Sequence, residues 1–179
     1  MPPLWFFTDA ARLADPRGIV ARLPKNLCGV VLRHDEVPDR AALGRDLARL
    51  CRARGNVLVV AGDWKLAREL HAGLHLRGGY WRGGGNFARH GKTLVTSSAH
   101  DRAQVVRAAR AGVDAIFVSP MFATASHPGA RSLGLVRWLL VSSGFHGARL
   151  VLGGVSVAKL RGIAVPQIFG LGAIGCFAE

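Results

Sequence analysis

Two hydroxyls and an imidazole crowd one short stretch of the chain. Thr124, Ser126 and His127 lie within SPMFATASHPGA, residues 119–130, directly after the apolar run AIFV. A segment this polar is not built for burial, and its side chains can hydrogen-bond a ligand or move a proton. His34 and His100, like His127, fall just past an apolar run, where an imidazole can bind an anion or act as acid or base near neutral pH. A packed structural role is the equal alternative for each. His71, His90 and His146 lie in surface-like segments. No histidine pair has the helical setting of a zinc site and no carboxylate cluster accompanies them, so the pattern predicts no metal ligand among them.

Glycines supply a second kind of chemistry. In LGGVSVAKL, Gly153 and Gly154 stand between an apolar run and a helix start, and GLGAIGCF repeats the device at Gly172 to Gly175. Bare N–H groups and the dipole at such a helix start favour a phosphate, although the same glycines also serve plain tight turns. Carboxylates are scarce nearby: Asp9, Asp35 and Asp63 are the candidates, and the last two also suit helix starts. Mg²⁺ needs oxygen ligands, and few are on offer.

The elements that must position these residues repeat along the whole chain. Strand-like runs fall at 4–9, 29–34, 56–62, 72–78, 93–99, 115–120, 149–154 and 167–172, with amphipathic stretches between them. The clearest helix is 39–54, where Leu43, Leu47 and Leu50 share a face, Asp39 suits the N-cap and Gly55 the stop. Residues 101–111 repeat that device between Asp101 and Gly112. Weaker helical patterns occupy 16–23, 63–71, 131–143 and 156–162, and 79–91 is too rich in glycine for a helix.

Strands alternating with helices imply parallel pairing with right-handed crossovers, and eight such units close into a (β/α)8 barrel. The chain is short for that fold, for which about 250 residues is typical, and little follows the eighth strand. The expected architecture is an abbreviated barrel with its last helix missing or truncated, or else an open sheet. A barrel gathers polar residues just past its strand C-termini on one face. Those are Asp9, Arg33, His34, Ser98, His100, the 124–127 segment, Gly153 and Gly154.

The totals narrow the function classes. A chain of 179 residues is one domain's worth, spanning 1–179. The formal net charge of +13 calls for an anionic partner. Its arginines are dispersed at helical spacing, as in RAALGRDLARLCRARG, with no dense basic block, which favours small phosphorylated ligands over nucleic acid. No unbroken apolar run of about 18 residues exists, so no membrane span is predicted. The start, MPPLWFFTD, has no basic secretory pattern, and a cytoplasmic protein is expected. Cys28, Cys51 and Cys176 are widely spaced and read as buried thiols.

With these residues in place, the chain resembles the thiamine phosphate synthase and TenI family over nearly its whole length. The matching pieces are LWFFTD, GVVLRH, GLHLRG, VTSSAH, VSPMFATASHPGARSLGL, LGGVS and GAIGCF, in that order. The resemblance implies a (β/α)8 barrel that handles the thiazole phosphate moiety of thiamin. Synthase members are transferases that join it to a pyrimidine diphosphate with loss of pyrophosphate, using Mg²⁺. It further implies that Gly153, Gly154, Ile174 and Gly175 hold the thiazole phosphate through backbone groups. Thr124, Ser126 and Gly134 would border the substrates, Arg33 would contact the diphosphate, and Ser98 with His100 would keep their familiar places. Family members often associate, which leaves a homodimer open.

The departures from the synthase pattern are specific. Val31 stands in place of a glutamine, Asp35 in place of a lysine, and Ala61 with Gly62 in place of an Asn-Asp pair. The acidic position after the fourth strand falls at Tyr80 or a neighbour, and His127 replaces a lysine. Both expected Mg²⁺ carboxylates are thus missing, with Asp63 as the one stand-in. TenI-type members place a histidine where this chain has Pro120. Synthase activity is the leading expectation. The alternatives are a TenI-like thiazole tautomerase using His34, His100 or His127, and a non-catalytic binder of thiazole phosphate or thiamin phosphate.

Overall fold

The computed structural model describes residues 1–80, 93–123, 131–155, 159 and 166–174. Eight strands form one closed parallel barrel in chain order. They are β1 (Leu4–Phe7), β2 (Cys28–Leu32), β3 (Val57–Ala61), β4 (Gly73–Arg77), β5 (Val95–Ala99), β6 (Ala115–Val118), β7 (Ala148–Leu152) and β8 (Gly170–Ala173). The helices among the described residues are α1 (Arg17–Arg22), α2 (Arg40–Ala53), α3 (Trp64–Glu69), α4 (Arg102–Arg110) and α5 (Gly134–Ser142). β1 pairs with β8 through Trp5 and Gly172, which removes the open-sheet alternative. The predicted helix over 156–162 lies almost wholly outside the described residues, as does everything after Ile174, where a last helix would begin.

The period-two alternation of the strands decides what fills the barrel. One parity of each strand points inward: Trp5, Phe7, Val31, Val59, Ala61, Ala115, Phe117, Leu150 and Leu152 form a single inner cluster. Phe117 lies at its centre, with ring centroids 5.3 Å from Trp5 and 4.8 Å from Phe7, both edge-on. That is the favourable geometry for aromatic rings. Gly29 of β2 is glycine for space: a Cβ there would sit 2.3 Å from the Trp5 ring.

The other parity meets the helices, and Leu43, Leu47, Leu66, Val105 and Trp138 pack onto Val30, Leu32, Val60, Ile116 and Val118. The helix starts follow the sequence closely. Asp39, Asp63 and Asp101 each accept the N–H three residues on, capping α2, α3 and α4. α5 starts at Gly134, three residues later than the 131–143 pattern suggests, because the Leu133 and Gly134 N–H groups are tied to the Pro120 and Met121 carbonyls. β8 likewise starts later than its apolar run, after a turn at Pro166 and Gln167. Cys28 and Cys51 are buried free thiols, and burial pushes the Cys51 thiol up to about 12. Cys176 lies outside the described residues.

Candidate active site

The strand C-termini open onto one mouth, and its β1–β2 side is built by a chain of hydrogen bonds. The Arg33 N–H donates to Thr8 Oγ1 at 2.8 Å. His34 Nδ1 lies 2.9 Å from the same hydroxyl, and Nε2 lies 3.0 Å from the Leu13 carbonyl. A carbonyl can only accept, so Nε2 carries the proton, and the Thr8 hydroxyl donates to Nδ1. His34 is fully buried with both ring nitrogens engaged. Its place past the strand end made it a catalytic candidate, yet it pins the β1 and β2 loops together and leaves no ring nitrogen for a substrate.

Arg33 continues the inward parity of β2, and Arg77 does the same at the end of β4. Burial lowers the Arg33 pKa from its usual value and Arg77 pushes the same way, against the support of Asp9 and Asp35. Beneath them lies His75, buried inside the barrel, its Nδ1 2.9 Å from Thr96 Oγ1 and its ring edge-on to Phe7. Burial, then Arg33 and Arg77, push its pKa down to about 3, so the imidazole is neutral. Sequence reasoning passed over His75 and Arg77, though the alternation of GLHLR gave the signal: both share the inward face.

A third guanidinium, invisible in the sequence, closes this pole. Arg40, at the start of α2, is 16% exposed; its Nη2 donates to the Ala61 carbonyl at 2.7 Å and lies 3.0 Å from Asp35 Oδ1. Its Nη1 is 3.6 Å from Asp63 Oδ2. The other oxygen of Asp35 accepts from Arg77 Nη2, and the other oxygen of Asp63 accepts from the Leu66 N–H.

On the β5–β6 side, Ser98 stands beside Arg77 in register. His100 is exposed at the rim, and its Nδ1 lies 3.0 Å from the Ser119 carbonyl. That carbonyl fixes the proton on Nδ1 and leaves Nε2 as the basic nitrogen of the neutral ring.

The β7 turn forms the opposite wall. Gly153 and Gly154 have φ of 86° and 64°, the left-handed region that glycine tolerates. They pack directly on the segment after β6: a Cβ on Gly154 would lie 2.3 Å from the Ala123 carbonyl. The Phe122 N–H donates to the Gly153 carbonyl at 3.1 Å. Among the described residues the N–H groups of Gly153 and Gly154 have no backbone acceptor, which leaves them available to an anion. Ile174 lies next to this turn against the inner cluster, and Gly134 lies behind the end of β6. Thr124, Ser126, His127 and Gly175 fall outside the described residues.

The described residues at this mouth do not suit the Mg²⁺ that synthase members use. Among the described residues no three His, Cys, Asp or Glu side chains converge on a common point. Ala61 and Gly62 offer no side-chain oxygen. All four carboxylate oxygens of Asp35 and Asp63 already face N–H groups.

Comparisons with known proteins agree with this geometry. The chain is 26% identical over 184 residues to a putative thiamine-phosphate synthase 2 of Aquifex aeolicus (strain VF5), covering 100% of this chain and 99% of that protein. It is 28% identical over 145 residues to a thiamine-phosphate synthase of Geobacillus kaustophilus (strain HTA426), covering 79% of this chain and 65% of that one. In fold it is similar to a thiamine phosphate pyrophosphorylase from Pyrococcus furiosus, with a TM-score of 0.73, 18% identity, and coverage of 96% of this chain and 84% of that one. The pattern of one family matches residues 9–175, nearly the whole chain, and the chain belongs to that family, thiamine monophosphate synthase.

Proposed function

We propose that this barrel, taken as a single domain over 1–179, is a transferase of thiamin biosynthesis that joins a pyrimidine diphosphate to thiazole phosphate and releases pyrophosphate. One observation carries the reading: the mouth has two anion-accepting poles on opposite sides. The glycine turn after β7 offers bare N–H groups, and Arg33 with Arg77 stand at the ends of β2 and β4, three strands away to either side. Two phosphorylated substrates fit such a cavity with their reacting ends directed toward each other.

In the reaction the bond from the pyrimidinylmethyl carbon to the diphosphate oxygen breaks, and its electron pair leaves with the diphosphate. The thiazole nitrogen supplies the pair for the new C–N bond. Charge therefore builds on the leaving group, and fixed positive groups at the Arg33 and Arg77 pole stabilise it. The Gly153–Gly154 turn orients the thiazole phosphate, converting a bimolecular encounter into a positioned one. No proton transfer is needed at the bond-making step, which accords with His34 and His75 being inaccessible or neutral inside the fold. The tautomerase alternative rests on fewer groups: among the described residues His100 is the mouth histidine with a ring nitrogen left to act.

A cytoplasmic setting accords with phosphorylated substrates, and no helix among the described residues is long and apolar enough to cross a membrane. Incubating purified protein with both substrates and analysing the products by chromatography tests the function. Thiamin phosphate should accumulate above a heat-denatured control; no product with intact, folded protein would remove the reading.

A further inference from the structure

Among its described residues the β2–β4 pole has a charge pattern that accepts an anion and leaves no place for a cation. Asp35 is held between Arg40 at 3.0 Å and Arg77. Asp63 serves as the cap of α3 through Leu66 and faces Arg40 with its other oxygen. A Mg²⁺ ion would need these oxygens, and near-octahedral geometry besides. It would have to displace two guanidinium groups to obtain them.

The unmet demand at the pole also has the opposite sign. Arg40 Nε is buried and donates to nothing among the described residues. An orphaned donor calls for an acceptor, and a cation beside it would raise its cost. Arg33 and Arg77 end the inward-facing rows of β2 and β4, two strands apart; Arg77 disfavours the charge on Arg33, and both act on His75 beneath them. Such a pair is relieved by an anion between them. Planar guanidinium forks match phosphate oxygens bidentately, which a hydrated metal ion does not.

We propose that Arg33 and Arg77 bind the diphosphate directly, with no bridging divalent cation, and that Asp35 is a positioning residue that holds Arg77 and Arg40 in place. This rests on the synthase reading for the identity of the diphosphate substrate but not for the anion site itself. It assigns Arg77, Arg40 and Asp35 roles in which guanidinium charge stands where family members use a metal.

Calorimetric titration of the full chain with inorganic pyrophosphate, in chelator and in excess Mg²⁺, tests the site. Pyrophosphate should bind in chelator, and excess Mg²⁺ should not strengthen that binding, because the metal complexes pyrophosphate in solution and competes with the arginines for its oxygens. Arg77→Met should weaken binding about tenfold or more, the worth of one charge-assisted hydrogen bond. Arg77→Lys, which keeps the charge without the fork, should recover only part of that loss. Asp35→Asn should weaken pyrophosphate binding by about threefold, equally in chelator and in Mg²⁺, because it loosens the two guanidinium groups that Asp35 holds without removing a metal ligand. The opposite result, binding only with Mg²⁺ and its loss in Asp35→Asn, would make Asp35 a metal ligand and overturn the proposal. Circular dichroism of each variant separates misfolding from lost affinity, and the parent and Asp35→Asn titrations decide the question even if an Arg77 variant does not fold. Chelator-resistant binding without thiamin phosphate formation would keep this site and remove the synthase reading. Turnover that requires Mg²⁺, with no binding in chelator, would do the reverse.

Discussion

His75 Nδ1 and Thr96 Oγ1 meet at 2.9 Å inside the barrel, on adjacent strands and beneath two arginines. A histidine in this position cannot be protonated at modest cost: its pKa is pushed down to about 3, mainly by burial. In the unfolded chain the same ring titrates near its ordinary value of about 6.5. Between these values the unfolded state binds the extra proton, so stability rises with pH across that window. The His75 contribution is complete above about pH 6.5 and shrinks as pH falls toward 3, by about 1.4 kcal/mol per pH unit. Urea unfolding should therefore show about 2 kcal/mol less stability from this group at pH 5 than at pH 6.5. His75→Gln should flatten that slope; an unchanged slope would mean the ring is already solvated or charged.

Phe117 touches Trp5, Phe7 and His75 and has no exposure. Phe117→Ala removes the ring on which the inner layer converges and should cost about 3–5 kcal/mol. Against a total stability of about 5–15 kcal/mol, that loss should move the urea midpoint strongly downward or prevent folding at 37 °C. A loss under about 1 kcal/mol would show that the inner cluster collapses around the gap.

Gly154→Ala tests the β7 turn. Its φ of 64° and a Cβ only 2.3 Å from the Ala123 carbonyl force the turn and the β6 segment apart. The strain should cost about 1–3 kcal/mol of stability. In steady-state kinetics KM for thiazole phosphate should rise about tenfold or more, with less effect on KM for the diphosphate, since only one anion pole moves. Equal changes in both would tie the turn to both substrates.

His100→Asn separates proton transfer from electrostatics. A general acid or base contributes about 100- to 10,000-fold, whereas the leaving-group account gives His100 only a rim role. Its removal should lower kcat/KM for thiamin phosphate formation by less than about tenfold, within the range of a lost polar contact. Loss of a titration limb near the imidazole pKa, together with a larger drop, would instead make His100 the acid or base.

The barrel was legible because its strands are short apolar runs at regular spacing, punctuated by Asp caps and glycine stops that the structure confirms at Asp39, Asp63 and Asp101. β8 and the start of α5 were less legible, because hydrogen bonds to distant loops set where they begin. At the site, position past a strand end located Arg33, Ser98, His100, Gly153 and Gly154 on the mouth, but not what each side chain does there. His34 sits at such a position and turns inward to Thr8 and Leu13. Arg40 reaches the mouth from a helix start by the length of its side chain, which no periodicity encodes. The departures at Val31, Asp35 and Ala61 could be read directly, yet only the three-dimensional pairing of Asp35 with two arginines shows how the altered pole is arranged.

The most direct test of the central claim is a phosphorus NMR time course with pyrimidine diphosphate and thiazole phosphate, run on the parent protein and on Arg33→Met. In the parent, pyrophosphate and thiamin phosphate should appear together in equal amounts. In Arg33→Met the shared rate should fall about tenfold or more, the loss expected for one charge-assisted contact to the leaving group. Pyrophosphate released without thiamin phosphate, or a rate untouched by Arg33→Met, would contradict the account.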